Sequence, residues 1–324
     1  MKLTRRGLGK IALAALSGTG LIARPNSNFG GVHIGINAPY SFRGAANSGD
    51  EVLEALVKLG LSTVELRSQA IEGAMGAPED ARSRFRRGPR RRRGEMTEEE
   101  RAARAAAAKA AAEELRAWRL SASMDGAKAF RKKYEDAGVT IDIVKFDGMD
   151  GMTDDELDYA FQLAKASGAR FITCEPPRSE TKRIGAFAEK HKLMVGYHGH
   201  TNVTSPEAFG SPASWEEVMG YSKYNGANVD IGHFIAGNGF SPAEFIKKHH
   251  DRITNIHLKD RKKEEGPNMP WGEGDTPIKE ILQLMKREKY DFMATIEMEH
   301  PIPEGSDAMA ELAKCVAYCK QALT

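Results

Sequence analysis

Short apolar runs alternate with stretches of mixed polarity from residue 32 to the C-terminus. Most of these runs are rich in Val and Ile and span six to eight residues, which favours strands over buried helices. Eight continuous apolar strands separated by amphipathic helices predict a parallel sheet covered on both faces, a (β/α)8 TIM barrel. The predicted strands are residues 32–37, 62–67, 139–146, 170–176, 193–200, 227–233, 253–260 and 292–299.

The amphipathic stretches between these strands carry signals for helix ends. One helix is expected between Gly49 and Gly60, and another begins at a capping box formed by Thr153 and Glu156 and ends at Gly168. Further helices are predicted to begin at Ser214, Ser241, Pro277 and Ser306.

A long insertion, residues 68–125, interrupts this alternation after the second strand. It contains the arginine-rich run SRFRRGPRRRRG and then an alanine-rich helix that begins at a capping box of Thr97 and Glu100. The arginine run admits a nucleic-acid interpretation, but the lack of interleaved aromatics beyond Phe85 favours a solvated loop. Because the insertion follows a barrel strand, we expect a lid on the C-terminal face, with Trp118 and Arg119 contacting the substrate.

The N-terminal residues 1–24 are interpreted as an export segment that precedes a barrel domain at residues 25–324. Arg5 and Arg6 stand before a weakly apolar run, a pattern that resembles a twin-arginine signal. The run is too short and glycine-interrupted for a good transmembrane helix, so no stable membrane insertion is expected after signal removal. The prediction is a periplasmic or exported protein, with a short amphipathic start to a cytoplasmic protein as the alternative.

Net charge and histidine content narrow the classes of function. The net charge of +2 gives no support for a general nucleic-acid or membrane-surface role. The chain has nine histidines, and four of them follow apolar runs in its C-terminal half. We therefore expect a small-molecule substrate and no nucleic-acid partner.

Four predicted strands end in residues that bind metals or transfer protons. They are His198 with His200, Asp230 with His233, His257 with Lys259, and Glu297 with Glu299. Residues two apart share one face of a strand, and the C-terminal ends of parallel barrel strands meet at the mouth. Imidazole and carboxylate ligands suit Mn, Zn, Co or Mg, so the pattern predicts a divalent-metal site there.

Asp230, His257 and Glu297 are the predicted ligands because charged residues within apolar strands are costly to bury without partners. The fourth ligand stays open among three candidates. Both histidines of the fifth strand face the mouth, so one is expected to be a ligand and the other a general acid or base. The candidates for the fourth ligand are Glu175, His198 and His200.

The working assignment makes Glu175 and His200 ligands and gives catalytic roles to His198, His233 and Lys259. Lys259 is expected to hold developing negative charge, and His233 to relay protons. Two further residues are expected to contact the substrate. These are Glu299 and Trp271, the latter in the glycine-rich loop NMPWGEGDTP.

Five short motifs together resemble the xylose isomerase-like TIM barrel superfamily, the sugar phosphate isomerase/epimerase group that also includes inosose dehydratases and apurinic endonucleases. The motifs are YHGH (197–200), DIGH (230–233), HLKD (257–260), GEG (272–274) and Ile296-Glu297. The resemblance implies metal ligands from the fifth to eighth strands, in the order Glu, Asp, His and Glu. This sequence departs at the fifth strand, where histidines replace Glu, and the departure weakens transfer of a two-base epimerase mechanism.

The predicted function is a metal-dependent sugar or keto-sugar isomerase or epimerase, or a lyase or dehydratase. Such enzymes abstract an α-proton and stabilise the resulting enediolate with a metal. No glycine-rich dinucleotide motif follows the first strand, so a partner oxidoreductase is expected to make any keto-sugar. A homo-oligomer is left open.

Two alternatives belong to other classes of protein. The first is a metal-dependent phosphodiesterase or apurinic-endonuclease-like hydrolase. It is weakened because His33 is the only histidine before residue 191, which leaves too few ligands for a trinuclear zinc site. The second is a non-catalytic sugar-binding barrel, which fold alone does not distinguish from an enzyme.

Overall fold

The computed structural model describes residues 24–78 and 97–324. The arginine run and the predicted export segment, apart from Arg24, lie outside the described residues.

Eight parallel strands form a closed barrel in chain order. Each strand pairs with the next, and the last pairs with the first, which closes the ring. The (β/α)8 fold predicted from the apolar runs is confirmed. The strands are β1 (Val32–Ala38), β2 (Thr63–Arg67), β3 (Thr140–Phe146), β4 (Phe171–Cys174), β5 (Met194–His198), β6 (Asn225–Asp230), β7 (Ile253–Leu258) and β8 (Met293–Ile296).

Helices cover the outside of the barrel, and the capping boxes that the sequence predicted are present. Thr97 and Thr153 each accept a hydrogen bond from the backbone N–H three residues later. The helices are α1 (Gly49–Leu59), α2 (Ser68–Ala74), α3 (Glu98–Ser121), α4 (Asp125–Asp136), α5 (Asp154–Ala166), α6 (Thr181–His191), α7 (Pro212–Met219), α8 (Ile231–Asn238), α9 (Ala243–His249), α10 (Ile278–Glu288) and α11 (Ala308–Leu323). Within the described residues, no helix is both long and apolar enough to cross a membrane.

The predicted strands continue too far at the mouth of the barrel. β5 ends at His198 rather than residue 200, and β7 ends at Leu258 rather than residue 260. The sixth strand ends at Asp230, whose side chain caps α8 by accepting the backbone N–H of His233 at 2.7 Å. The apolar residues after Asp230 fit a buried helix as well as a strand, so the apolar run alone did not mark this boundary.

The barrel interior becomes polar towards the mouth. Glu65 on β2 is fully buried and accepts hydrogen bonds from Thr173 at 2.5 Å and from Asn255 at 3.0 Å. Asn255 also donates to Thr295 at 3.1 Å. Buried polar groups require partners, and this network supplies them directly beneath the site.

Candidate metal centre

Four buried side chains from consecutive strands converge at the mouth of the barrel. His198 ends β5, Asp230 ends β6, His257 lies on β7 opposite Asp230, and Glu297 follows β8. Each offers one donor atom, and the four donor atoms lie within 4.8 Å of one another. We call these residues the donor group.

The spacing of the donor atoms fits a bound divalent cation. Nδ1 of His257 lies 3.1 Å from Oε2 of Glu297 and 4.0 Å from Oδ2 of Asp230. Nε2 of His198 lies 3.5 Å from Oδ2 of Asp230 and 3.6 Å from Oε2 of Glu297. Ligands held at about 2.1 Å from a tetrahedral zinc ion are separated by about 3.4 Å, within this range.

Among the described residues, Nε2 of His198 is buried without a hydrogen-bond partner, whereas Oδ2 of Asp230 faces the ammonium of Lys259 at 3.0 Å. An unpartnered buried imidazole nitrogen or carboxylate oxygen is costly unless a ligand completes it. The donor set of two imidazoles and two carboxylates suits Zn, Mn or Co.

Three members of the donor group are held through their second polar atom. Oδ1 of Asp230 accepts the backbone N–H of His233, and Oε1 of Glu297 accepts from Asn37 at 2.7 Å. Nε2 of His257 lies 2.5 Å from Oε2 of Glu65. A carboxylate at this nitrogen fixes the histidine tautomer and leaves Nδ1 free to ligate a metal.

Electrostatics around His257 follow from its carboxylate neighbours. Burial acts to lower the pKa of His257, but Glu65 and Glu297 outweigh burial and raise it to about 10. For Glu65, burial favours a higher pKa, but the charge of His257 holds that pKa below its ordinary value. In the metal-free site His257 is therefore an imidazolium, protonated at both ring nitrogens. Metal binding at Nδ1 must release the proton from that nitrogen.

The ammonium of Lys259 contacts the same carboxylates that face the centre. Its Nζ lies 3.0 Å from Oδ2 of Asp230, 2.8 Å from Oε2 of Glu297 and 2.6 Å from Oε2 of Glu299. Burial acts to lower the pKa of Lys259, but these three carboxylates raise it. In the metal-free protein this ammonium supplies part of the positive charge that the carboxylates require.

The glycine of the DIGH motif allows this approach of Lys259. A Cβ atom on Gly232 would lie 2.3 Å from Cγ of Lys259 and 2.8 Å from its carbonyl oxygen. Any other residue at position 232 would therefore displace the strand end that carries Lys259.

His233 lies beside the donor group in the first turn of α8. Its Nε2 is 3.0 Å from Nζ of Lys259, and its Nδ1 is 2.7 Å from Nη1 of Arg261. Burial lowers the pKa of His233 to about 3, and Lys259 contributes to that shift while Asp230 opposes it. His233 is therefore neutral near pH 7, and each of its ring nitrogens faces a cationic side chain.

Glu175 and His200 lie at the rim, where they form a second group of possible ligands that shares His198 with the donor group. Oε2 of Glu175 lies 3.2 Å from Nε2 of His200, and its Oε1 accepts from Nζ of Lys145 at 2.5 Å. Burial favours a higher pKa for Glu175, but the buried Lys145 ammonium holds that pKa far below its ordinary value. Of the three candidates for the fourth ligand, only His198 lies with Asp230, His257 and Glu297. The assignment of Glu175 and His200 as metal ligands stays a prediction.

The predicted substrate residues of the insertion are engaged with the outer helices. The guanidinium of Arg119 pairs with Glu72 of α2 at 2.8 Å and with Glu156 of α5 at 3.3 Å. The ring of Trp118 packs edge-on against Tyr159, with centroids 6.3 Å apart. The structure therefore does not bring these two residues into contact with the donor group.

The glycine-rich loop is fixed by Asp260. Oδ2 of this residue accepts the backbone N–H groups of Gly272 at 2.8 Å and Gly274 at 2.9 Å. Trp271 rests edge-on against Tyr318 of α11, with ring centroids 5.6 Å apart. Its contact with a substrate stays a prediction, whereas Glu299 faces the centre through Lys259.

Several residues of the site were missed from the sequence. Glu65 carries the same signal that identified Glu297, a charge within an apolar strand. The other missed residues belong to no recognisable local motif, because their partners are distant in the chain. They are Asn37, Tyr40, Arg67, Lys145 and Arg261.

A cleft of about 660 Å³ opens at the opposite end of the barrel, where β4, β7 and β8 begin. Its charged residues include Arg170, which pairs with Asp142 at 2.6 Å and with Asp291 at 2.8 Å. None of the donor group lines it. Chemistry in TIM barrels occurs at the C-terminal face, so size alone does not locate the site.

The chain is similar to known proteins in sequence profile and in fold. The sequence profile described as xylose isomerase-like TIM barrel matches residues 100–318. Comparison with curated protein sequences found no match.

Solved structures resemble the chain over most of its length. A sugar phosphate isomerase/epimerase from Parabacteroides distasonis is 15% identical, with a TM-score of 0.57 over 91% of this chain and 96% of that one. The probable 3-DHS dehydratase AsbF from Bacillus anthracis is 12% identical, with a TM-score of 0.57 over 89% and 99%. The IOLI protein with a bound zinc atom is 12% identical, with a TM-score of 0.58 over 90% and 98%. At these identities the likeness shows the fold.

Proposed function

Because the chain belongs to the xylose isomerase-like TIM barrel family, we propose that it is a divalent-metal-dependent enzyme that removes an α-proton from a sugar or keto-sugar. The observation that supports this proposal most strongly is the buried donor group. Three of its members are held through a second polar atom, and among the described residues Nε2 of His198 lacks a hydrogen-bond partner.

The ligands we assign are His198, Asp230, His257 and Glu297. A divalent cation held by them would polarise a carbonyl and its neighbouring hydroxyl, which favours loss of the α-proton. Glu65 would orient His257, and Asn37 would orient Glu297, so that both keep their donor atoms turned to the centre.

His200 is the general base that this arrangement favours. It lies outside the donor group, is half exposed, and is oriented by Glu175. Its ring centroid lies 4.9 Å from that of His198 and 5.0 Å from that of His233, so it reaches the edge of the centre. A carboxylate behind the imidazole fixes its orientation for proton transfer. This assignment exchanges the roles that the sequence suggested for His198 and His200.

Lys259 and His233 are placed to receive the negative charge that proton removal creates. Lys259 keeps Glu299 as a partner at 2.6 Å when the other carboxylates bind a cation. His233 is neutral near pH 7 and lies 3.0 Å from Lys259. Donors preorganised at a buried enediolate oxygen lower the barrier most effectively.

Isomerisation, epimerisation and dehydration share this first step, and the proposal covers all three outcomes. The similar solved structures include a sugar phosphate isomerase/epimerase and a probable dehydratase. From the sequence of residues 1–24 we further propose export by a twin-arginine route, which cell fractionation would test. A partner oxidoreductase would then supply any keto-sugar.

The test is elemental analysis of the purified protein beside Asp230→Asn, followed by α-proton exchange of ketoses in D2O. About one equivalent of Mn, Co or Zn is expected in the wild type and is lost in the variant, together with exchange. Asp142→Asn is the matched control, because it makes the same change in a buried carboxylate at the other end of the barrel.

The control should keep both metal and exchange. An absence of metal in every form, even after reconstitution, would contradict the proposed enzyme. Sugar binding without exchange would then favour the binding barrel, and cleavage of a phosphodiester would favour the hydrolase.

A further inference from the structure

A second polar cluster lies at the ends of β1, β2 and β3, across the mouth from the donor group. Nη1 of Arg67 donates to Oδ2 of Asp147 at 2.6 Å, and Nε2 of Gln69 donates to the same oxygen at 3.3 Å. The Arg67 guanidinium lies over the ring of Tyr40, with 5.0 Å between Cζ and the ring centroid. We call Tyr40, Arg67, Gln69 and Asp147 the rim cluster.

We propose that the rim cluster binds two neighbouring hydroxyl groups at the substrate end distant from the donor group, and that it selects neutral sugars over their phosphate esters. This inference rests on the proposed function, since it specifies the substrate class of the same mouth.

The rim cluster is joined to the donor group by direct contacts. The hydroxyl of Tyr40 donates to Oε1 of Glu299, whose Oε2 lies 2.6 Å from Nζ of Lys259. Lys259 in turn contacts Glu297 of the donor group at 2.8 Å. A continuous series of contacts therefore links the rim cluster to the donor group across the mouth.

The rim cluster is accessible and keeps hydrogen-bonding capacity. The side chains of Arg67 and Asp147 are 22% and 19% exposed. Across residues 24–78 and 97–324, the side chain of Arg67 donates one hydrogen bond, from Nη1, and Asp147 accepts only through Oδ2. A guanidinium donor beside a free carboxylate oxygen can donate to one hydroxyl and accept from its neighbour.

The tight placement of Arg67 adds to its suitability for recognition. The Tyr40 ring supports one face of the guanidinium, and Asp147 fixes its edge. A guanidinium held in this way loses little conformational freedom when it binds a ligand.

Among residues 24–78 and 97–324, charge argues against a phosphate at this end of the mouth. Arg67 is matched by Asp147, and the neighbouring Lys145 is matched by Glu175 at 2.5 Å. Lys145 is also fully buried, so its ammonium does not reach a ligand. Phosphate sites rely on cationic donors that are free to pair with the dianion. The matched charges here suit a neutral polyol.

The test compares D-fructose and D-tagatose with their 6-phosphates as probes of the metal-loaded enzyme, in α-proton exchange and in ligand-observed NMR binding. The wild type should favour the neutral sugars. Arg67→Gln should raise KM for them about tenfold, because it removes charge-assisted hydrogen bonds, while kcat and metal content stay near wild type. Asp147→Asn should shift the preference towards the phosphates, because it leaves Arg67 without its counter-charge.

Arg183→Gln is the matched control, since Arg183 pairs with Asp154 at 2.8 Å on the outer surface. It should leave KM and sugar preference unchanged. An unchanged KM in Arg67→Gln, or a wild type that favours the phosphates, would overturn the inference.

Failure of the proposed function gives a different result. If the metal-loaded enzyme exchanges no α-proton, the NMR binding signals still decide. Arg67→Gln must then weaken the signals of the neutral sugars, and Asp147→Asn must strengthen those of the phosphates. Absence of both effects, or of any sugar binding, would overturn the rim subsite independently of catalysis.

Discussion

The two halves of the barrel mouth differ in how their charged side chains are paired. On the side of β5 to β8, the carboxylates Asp230, Glu297 and Glu299 share a single lysine, Lys259. On the side of β1 to β4, Arg67 is paired with Asp147 and Lys145 with Glu175. With His257 neutral, as metal binding requires, the first half carries excess negative charge, whereas these two ion pairs of the second half are balanced.

This difference separates reaction from recognition. Excess buried negative charge is unfavourable unless a proton or a metal compensates it, so the β5–β8 half is built to accept a cation. The balanced half has no such requirement and offers directional hydrogen bonds to a neutral ligand. One mouth can therefore hold a polarising ion at one end of a substrate and hydroxyl groups at the other.

The largest expected effect concerns Glu65, which belongs to β2 but serves His257 of β7. Glu65→Gln keeps the size of the side chain but removes the charge that orients and polarises His257. Metal affinity should fall about 10-fold to 100-fold, the usual cost of losing such an outer partner. Competition for zinc with a chromogenic chelator measures this change.

Glu72→Gln serves as the matched control, because Glu72 is also a buried carboxylate but pairs with Arg119 outside the barrel. Its metal affinity should equal that of the wild type. Unchanged affinity in Glu65→Gln would mean that the β5–β8 half holds its metal without support from the other half.

The next effect is a pH dependence of stability in the metal-free protein. Burial acts to lower the pKa of His257, but Glu65 and Glu297 raise it from 6.5 to about 10. A raised pKa contributes stability that is fully present below pH 6.5 and is lost as the pH rises towards 10. In the metal-bound protein Nδ1 carries no proton, so this loss is absent.

Thermal unfolding with and without a chelator, between pH 7 and pH 10, tests this expectation. The gap in Tm between metal-loaded and metal-free protein should widen with pH, because other titrating groups act on both forms alike. In Glu65→Gln the Tm gap should widen less with pH, because one of the carboxylates that raise the pKa of His257 is gone. A Tm gap that does not change with pH would show that the proton on His257 does not compensate the carboxylates of the β5–β8 half.

The same contrast explains how much the sequence could predict. Interrupted Val-rich and Ile-rich runs located all eight strands, and charged residues within those runs marked Asp230, His257 and Glu297. The sequence could not show which of His198 and His200 joins the donor group, because residues two apart share a face only while the strand continues. β5 ends at His198, so His200 lies beyond the strand, at the rim of the barrel mouth.

The residues that the sequence did not reveal depend on distant pairings. Glu65 and His257 are 192 positions apart, and Arg67 and Asp147 are 80 apart. A short motif carries no information about a partner on another strand, so such residues are found only when the barrel closes. Asn37 and the entire rim cluster belong to this class, whereas Glu65 also carried a local signal as a charge within an apolar strand.

The smallest expected effect on catalysis concerns Arg119, whose balanced charges lie outside the mouth. Arg119→Met leaves the buried Glu72 without its cation, whereas Glu156 keeps Arg116 at 2.9 Å, so stability should fall by about 3 kcal/mol. Because Arg119 contacts α2 and α5 rather than the donor group, kcat/KM should stay within about twofold of wild type. Arg131→Met, which breaks an exposed pair with Glu135, should cost less than about 0.5 kcal/mol and leave kcat/KM unchanged. A large loss of kcat/KM at unchanged stability would instead place Arg119 over the substrate, as its position in the insertion suggested, and extend the recognition half of the mouth to α3.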